Sequence, residues 1–395
     1  MKNKLKVVLL SLFFIICTYN TSFSYSQNDL EEKDYEISNE TTENYISSQL
    51  EKINIDELEE YIKNDEVFRN LDLKEFVKDL VKGEAKLTDL INLDNFKKLI
   101  LSQLSTSLKV MTIIIVLALL SSILKSLENS FSSGSITKVI NYIIFITMVT
   151  LVMINFKDVL EIAYNTVDTI IGIINILFPI LLSLMALGGL AVTSATLSPV
   201  FIGGISIINL IFKNVIFVLI TLSFCILVIN NLSENIKLNK FADLIKKLNL
   251  LLIGFVFTVY LGIVSVQGIY VTTFDKFTVK SAKFAVGNFI PVIGNFISDS
   301  VDILLSSSIL IKNIFGTIGL LLLIGLCLIP VLKIFSVILV YKIGAAIVEP
   351  IGEENISKFM EETSKLMTII LICILALLIM FFVTIGILTS ISAVS

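Results

Sequence analysis

Seven long apolar runs constrain this chain more than any other feature. They cover residues 110–124, 136–156, 169–190, 199–229, 250–271, 314–348 and 366–391. A helix needs about 20 consecutive apolar residues to cross the hydrocarbon of a bilayer. Most of the chain is therefore expected in lipid, as an all-α polytopic membrane protein. Composition agrees: 55% of residues are hydrophobic, mean hydropathy is +0.91, and only 16% are charged, against about 25% in a soluble domain.

Seven runs need not mean seven crossings. Residues 314–348 number 35, about 52 Å as one straight helix against roughly 30 Å of hydrocarbon. The run is expected to bend, tilt or divide near Pro330 and Lys333, because proline breaks the backbone ladder and a lysine at a span centre costs about 2.5–3.5 kcal/mol. Residues 199–229 carry Lys213 near their middle and invite the same expectation. Interrupted spans of this kind can line a permeation path. Alternatively, Lys213 and Lys333 snorkel at the ends of shorter helices. The distribution of Lys and Arg asks for a hairpin or re-entrant pair within 199–229 and for a turn carrying Lys157, Asp158, Glu161 and Asp168, but it fixes no single map. Six to nine membrane segments are expected, some of them broken or re-entrant.

Charge divides the chain into three parts. Residues 1–26 hold three lysines, an apolar core and a small-residue Ser22-x-Ser24 triplet, the order of a secretory signal peptide. Residues 27–108 form an acidic segment, expected outside the cytoplasm. Its first part is tether-like, and from Ile53 onward it carries short helical stripes such as Leu73, Phe76, Val77 and Leu80. These stripes can fold on one another or dock on a partner. Residues 109–395 form the polytopic membrane domain.

The chemistry is narrowed by what is missing. The chain has no His and no phosphate-cradling or nucleophile-elbow motif, which removes the usual hydrolase and ATPase constellations. Cys17, Cys225, Cys327 and Cys373 lie in apolar runs without a C-x-x-C pair and read as small buried hydrophobes. We expect no enzymatic activity, no cofactor and no metal. The net charge of −4 argues against a nucleic-acid partner.

One segment departs from an ordinary span. Lys276, Lys280 and Lys283 stand at i, i+4 and i+7, followed by Gly287, Pro291 and Gly294, and then by Asp299 and Asp302 three residues apart. Two readings are open. The lysines can pair with the aspartates in an interfacial hairpin, or the broken stretch can re-enter beside a pore with the aspartates lining it. Lys213 and Lys333 join these eight residues as candidates for a pore or assembly site.

Three strings of this segment, Lys280-Ser281-Ala282-Lys283-Phe284, Asn288-Phe289-Ile290-Pro291-Val292-Ile293-Gly294 and Ser298-Asp299-Ser300-Val301-Asp302, resemble the best-marked region of the stage III sporulation protein AE family of endospore-forming bacteria. Glu349-Pro350-Ile351-Gly352-Glu353-Glu354 resembles that family's second marker. The resemblance implies a membrane component of a multiprotein complex between mother cell and forespore. It also implies residence in the outer forespore membrane, other membrane subunits as partners, and a channel or secretion-like conduit supporting late forespore development. It supplies no catalytic residues. A stand-alone secondary transporter with broken helices is the alternative.

Overall fold

The computed structural model describes the backbone of residues 108, 112–123, 134–232, 238–270, 272–289, 294–351 and 354–391, with side chains except at 134–138, 141, 267–270, 272–274, 285–289 and 294–299. The expected signal peptide and acidic segment lie outside the described residues, apart from Leu108. So does the division of the chain at residue 108.

Every described element is helical. The first, α1, is Thr112–Ile123. It is followed by α2 (Gly134–Leu187), α3 (Ala191–Ile211), a π-helical turn (Phe212–Ile216), α4 (Phe217–Leu232), α5 (Asn239–Tyr270), α6 (Thr272–Phe289), α7 (Gly294–Val348), a 3-10 turn (Glu349–Ile351) and α8 (Glu354–Ser390). Among the described residues five helices are long and apolar enough to cross a membrane, and α1 is apolar but shorter. This is the all-α polytopic architecture that the apolar runs predict.

The helices are fewer and longer than those runs. Runs 136–156 and 169–190 merge into α2, 54 residues long, because the charged stretch between them contains no glycine or proline and its Lys, Glu and Ala are good helix formers. The expected hairpin within 199–229 is absent. α3, the π-turn and α4 continue as one helical rod, and the interruption at Lys213 adds one residue to a turn without reversing the chain. Pro330 does not divide α7, which runs unbroken for 55 residues. A proline removes one backbone hydrogen bond, a loss that neighbouring helices make tolerable within a membrane. Gly287 likewise lies inside α6, which continues to Phe289.

The bundle is held in register by contacts spaced along each pair. α2 and α3–α4 are antiparallel: the Ser194 hydroxyl donates to the Leu182 carbonyl at 2.7 Å, Phe178 meets Phe201 at 4.8 Å, Tyr164 meets Phe217 at 5.0 Å, and Phe156 stacks on Phe224 at 3.7 Å. The turn between them is a Schellman close. The Leu190 N–H bonds the Met185 carbonyl at 2.9 Å and the Gly189 N–H bonds the Ala186 carbonyl at 3.3 Å. Gly189 supplies the left-handed residue, φ 83°, that this motif needs.

α7 is antiparallel to both α2 and α8. Gly319 lies against Leu177, close enough that an added Cβ would meet Leu177 Cδ1 at 2.7 Å, while Ser357 on α8 donates to the Ala345 carbonyl at 2.8 Å. α5 runs parallel to α8, with Lys246 on Glu362 near one end and the Tyr260 and Thr384 hydroxyls 3.0 Å apart further along. At the far end of α1, the Ser122 hydroxyl donates to the Ile351 carbonyl at 2.6 Å.

Candidate functional site

Polar groups within this apolar bundle gather at two levels. The first contains Lys213. It sits in the π-turn, where the Phe217 N–H reaches back five residues to the Phe212 carbonyl; such turns often mark functional positions. Its ammonium pairs with Asp168 of α2 and lies 5.4 Å from the centre of the Tyr164 ring. The Asp168 side chain is 53% exposed. Lys246 pairs with Glu362, and Lys365 holds Glu361 at 2.9 Å and Glu362 at 2.7 Å. Lys333 belongs to the same level. Gly319 packs on Leu177, so Lys333, fourteen residues further along α7, stands opposite Ala163, fourteen residues back along α2.

The second level is built from two helix ends. Leu190 offers no side-chain cap to α3. Asp275 of α6, buried, takes that role across the fold. It accepts hydrogen bonds from the Val192 N–H at 3.0 Å, the Thr193 N–H at 2.7 Å and the Thr193 hydroxyl at 2.6 Å. A carboxylate there satisfies orphan donors and meets the positive end of the helix dipole. At the opposite kind of terminus, the fully buried Lys312 of α7 donates to the Ile391 carbonyl at the end of α8. A cation is favoured there by the same dipole.

The spacing of the two levels is that of a bilayer. Lys312 and Lys333 are 21 residues apart and Thr193 and Lys213 are 20 apart, which at 1.5 Å per residue is about 30–32 Å. The hydrocarbon of a bilayer is about 30 Å thick. The helices that carry Lys213 and Lys333 are not shortened there: both continue well past these residues.

Of the candidates in the broken segment, Lys283 and Asp302 are brought together as an ion pair, so that α6 and the first turns of α7 lie side by side. Lys280 is exposed and Lys276 half-buried. Gly294 opens α7. Pro291 and the Asp299 side chain lie outside what is described.

Sequence reasoning missed Asp275 and Lys312. It also missed Asn249, fully buried, whose amide atoms have no hydrogen-bond partner among the described residues. One signal was available for Asp275: it is the single acidic residue between Asp243 and Asp299. The reading of the cysteines needs one correction. Cys327 and Cys373 are buried, but Cys225 is exposed, because it lies on the outward side of α4 beside the inward-facing Phe224. Among the described residues no three Cys, Asp or Glu side chains come together as metal ligands would.

The fold defines the class: an all-α, multi-pass membrane protein. The chain belongs to the stage III sporulation protein AE family, whose model matches residues 71–392. That membership gives it a role in sporulation. The stage III sporulation protein AE of Bacillus subtilis (strain 168) is 33% identical to it over 208 residues, 53% of this chain. The match spans 52% of that relative, about half its length. No solved structure matches.

Proposed function

We propose that this chain is a non-enzymatic structural and conduit subunit of a sporulation-specific channel or secretion-like complex that links mother cell and forespore and is needed for late forespore development. It acts from the outer forespore membrane, with its N-terminal segment extracytoplasmic and with other membrane subunits of the complex as partners. One observation carries the reading: the long helices overshoot the bilayer-thick layer. Phe381 of α8 faces Phe178 of α2. Glu354, 27 residues back along α8, is thus level with Leu151, and the charged stretch Glu354, Lys358, Glu361, Glu362 and Lys365 stands beside residues 151–162 of α2. Those charges mark a layer outside hydrocarbon.

At the same level α2 exposes Met153 and Ile154, and α4 exposes Val218, Leu222 and Ile229. Apolar surface in a layer rich in charge calls for protein cover, which a component of an assembly has and a self-sufficient transporter lacks. The exposed thiol of Cys225 lies on this part of α4 and gives a direct test. With Cys17, Cys327 and Cys373 replaced by alanine, a photoactivatable maleimide on Cys225 is expected to cross-link another membrane protein of the sporulating cell. Adducts with lipid alone, together with solute transport by the purified chain in liposomes, would replace this reading with the transporter.

A further inference from the structure

We propose that Asn249 of α5 binds a water molecule enclosed between α4, α5 and α8, and that this water ties α5 to the other two helices. Asn249 is fully buried. Among the described residues it is the one amide whose nitrogen and oxygen are both enclosed and without a hydrogen-bond partner, whereas at Asn209 and Asn313 this holds for the oxygen alone. Buried amides are almost always hydrogen-bonded, because a donor and an acceptor left unmade lose their hydration with nothing in exchange. α4, α5 and α8 pack on one another in all three pairings, and α5 is the least buried of the five spans. A polar bridge on its inner face is thus placed where α5 has the fewest other contacts to hold it.

The surroundings select the ligand. α4 and α5 form a hairpin closed by the Asn230 side chain on Leu238 and Asn239, and Ala242 and Ile245 cluster with Ile226. Asn249 follows Ile245 by four residues and Ala242 by seven, on the same face of α5, so it looks toward the stretch of α4 that holds Ile220 and Ser223. Both are fully buried. The Ser223 hydroxyl has given its hydrogen to the Leu219 carbonyl at 2.9 Å, so it has none for the Asn249 carbonyl. On the α8 side Lys246, three residues before Asn249, pairs with Glu362, and their side chains are 12% and 30% exposed. Bulk water therefore reaches to within one helical turn of the amide. A neutral amide needs a donor and an acceptor at once. Water supplies both and is the smallest molecule that does, whereas an ion would satisfy one end and leave the other unmade. The inference stands whether or not the chain is a conduit subunit.

Hydroxyl radicals made from water by a short X-ray pulse oxidise side chains beside ordered water, even where bulk solvent is excluded, so the unaltered full-length chain in nanodiscs gives the test. Ile253 lies one turn beyond Asn249 on the same face and is 3% exposed, while Ile171 and Ile180 of α2 are 5% and 9% exposed. Solvent access alone would not make Ile253 the fastest of the three. With a water on Asn249, Ile253 is expected to be oxidised at least about threefold faster than Ile171 and Ile180. Asn249→Leu, similar in size and apolar, is expected to bring that rate down to theirs. An Ile253 no faster than the other two in the parent chain would overturn the proposal and give the amide a protein partner instead. A fast Ile253 whose rate Asn249→Leu leaves unchanged would overturn it too, because the water would then be held by other groups. The comparison within the parent chain needs no substitution, and it decides even where Asn249→Leu misfolds.

Discussion

Asp275 and Lys312 show how single polar groups are kept inside this bundle: each ends a helix on another part of the chain. Removing Asp275 leaves two backbone N–H groups and one hydroxyl without their acceptor. Asp275→Ala is therefore expected to lower stability by about 1–3 kcal/mol, measured as denaturant unfolding in detergent, with Asp275→Asn falling between it and the parent. Lys312 behaves differently. Its burial already opposes the ionic hydrogen bond it makes, so an isosteric apolar replacement, Lys312→Met, is expected within about 1 kcal/mol of the parent, whereas Lys312→Glu sets a second negative group against a helix C-terminus and destabilises by about 3 kcal/mol or more. At Gly189, alanine would hold a left-handed conformation at a cost of about 1–2 kcal/mol, seen in the same unfolding measurement. The roles of Asp275 and Lys312 could not be read from local sequence. The partners of Asp275 lie 82 and 83 residues away, and a cap that belongs to another helix leaves no capping motif around itself. The Lys283–Asp302 pair was legible as one of two readings because both residues belong to one hairpin.

At the scale of the element, apolar runs reported helices faithfully and helix ends poorly. The charged stretch Lys157–Asp168 reads as a turn by its polarity, yet it contains no chain breaker and continues as helix. Polarity marks where a membrane ends, whereas a helix ends where backbone conformation and hydrogen bonding change, and in α2 and α7 these are different places. Pro330 follows the same rule, since neighbouring helices keep the rod continuous. The close approach of α2 and α7 at Gly319 depends on a missing side chain, so Gly319→Leu is expected to push Leu177 aside and destabilise by about 1–3 kcal/mol. Pro330→Ala, by contrast, is expected to leave the fold intact, which circular dichroism of the two variants in one detergent would compare.

At the scale of the molecule, the account rests on where the bilayer sits. The helices are long enough for several placements, and hydropathy alone chose the middles of the runs. The cross-helix register chooses differently, because it brings Lys213, Asp168 and Lys333 near one level and Asp275 and Lys312 near another. A hydrocarbon layer set between these two levels, as the proposed function has it, leaves the first part of α2, all of α4 and the end of α7 beyond it, where their apolar faces need protein cover. Cysteine scanning along α7 with a membrane-impermeant maleimide, on cysteine-replaced protein in nanodiscs, tests this placement most directly. The account predicts a protected stretch from about residue 313 to about residue 332, the hydrocarbon thickness of roughly 30 Å, with labelling resuming at exposed positions beyond Lys333 and before Lys312. A protected stretch centred on Lys333, with labelling on both sides of it, would contradict it.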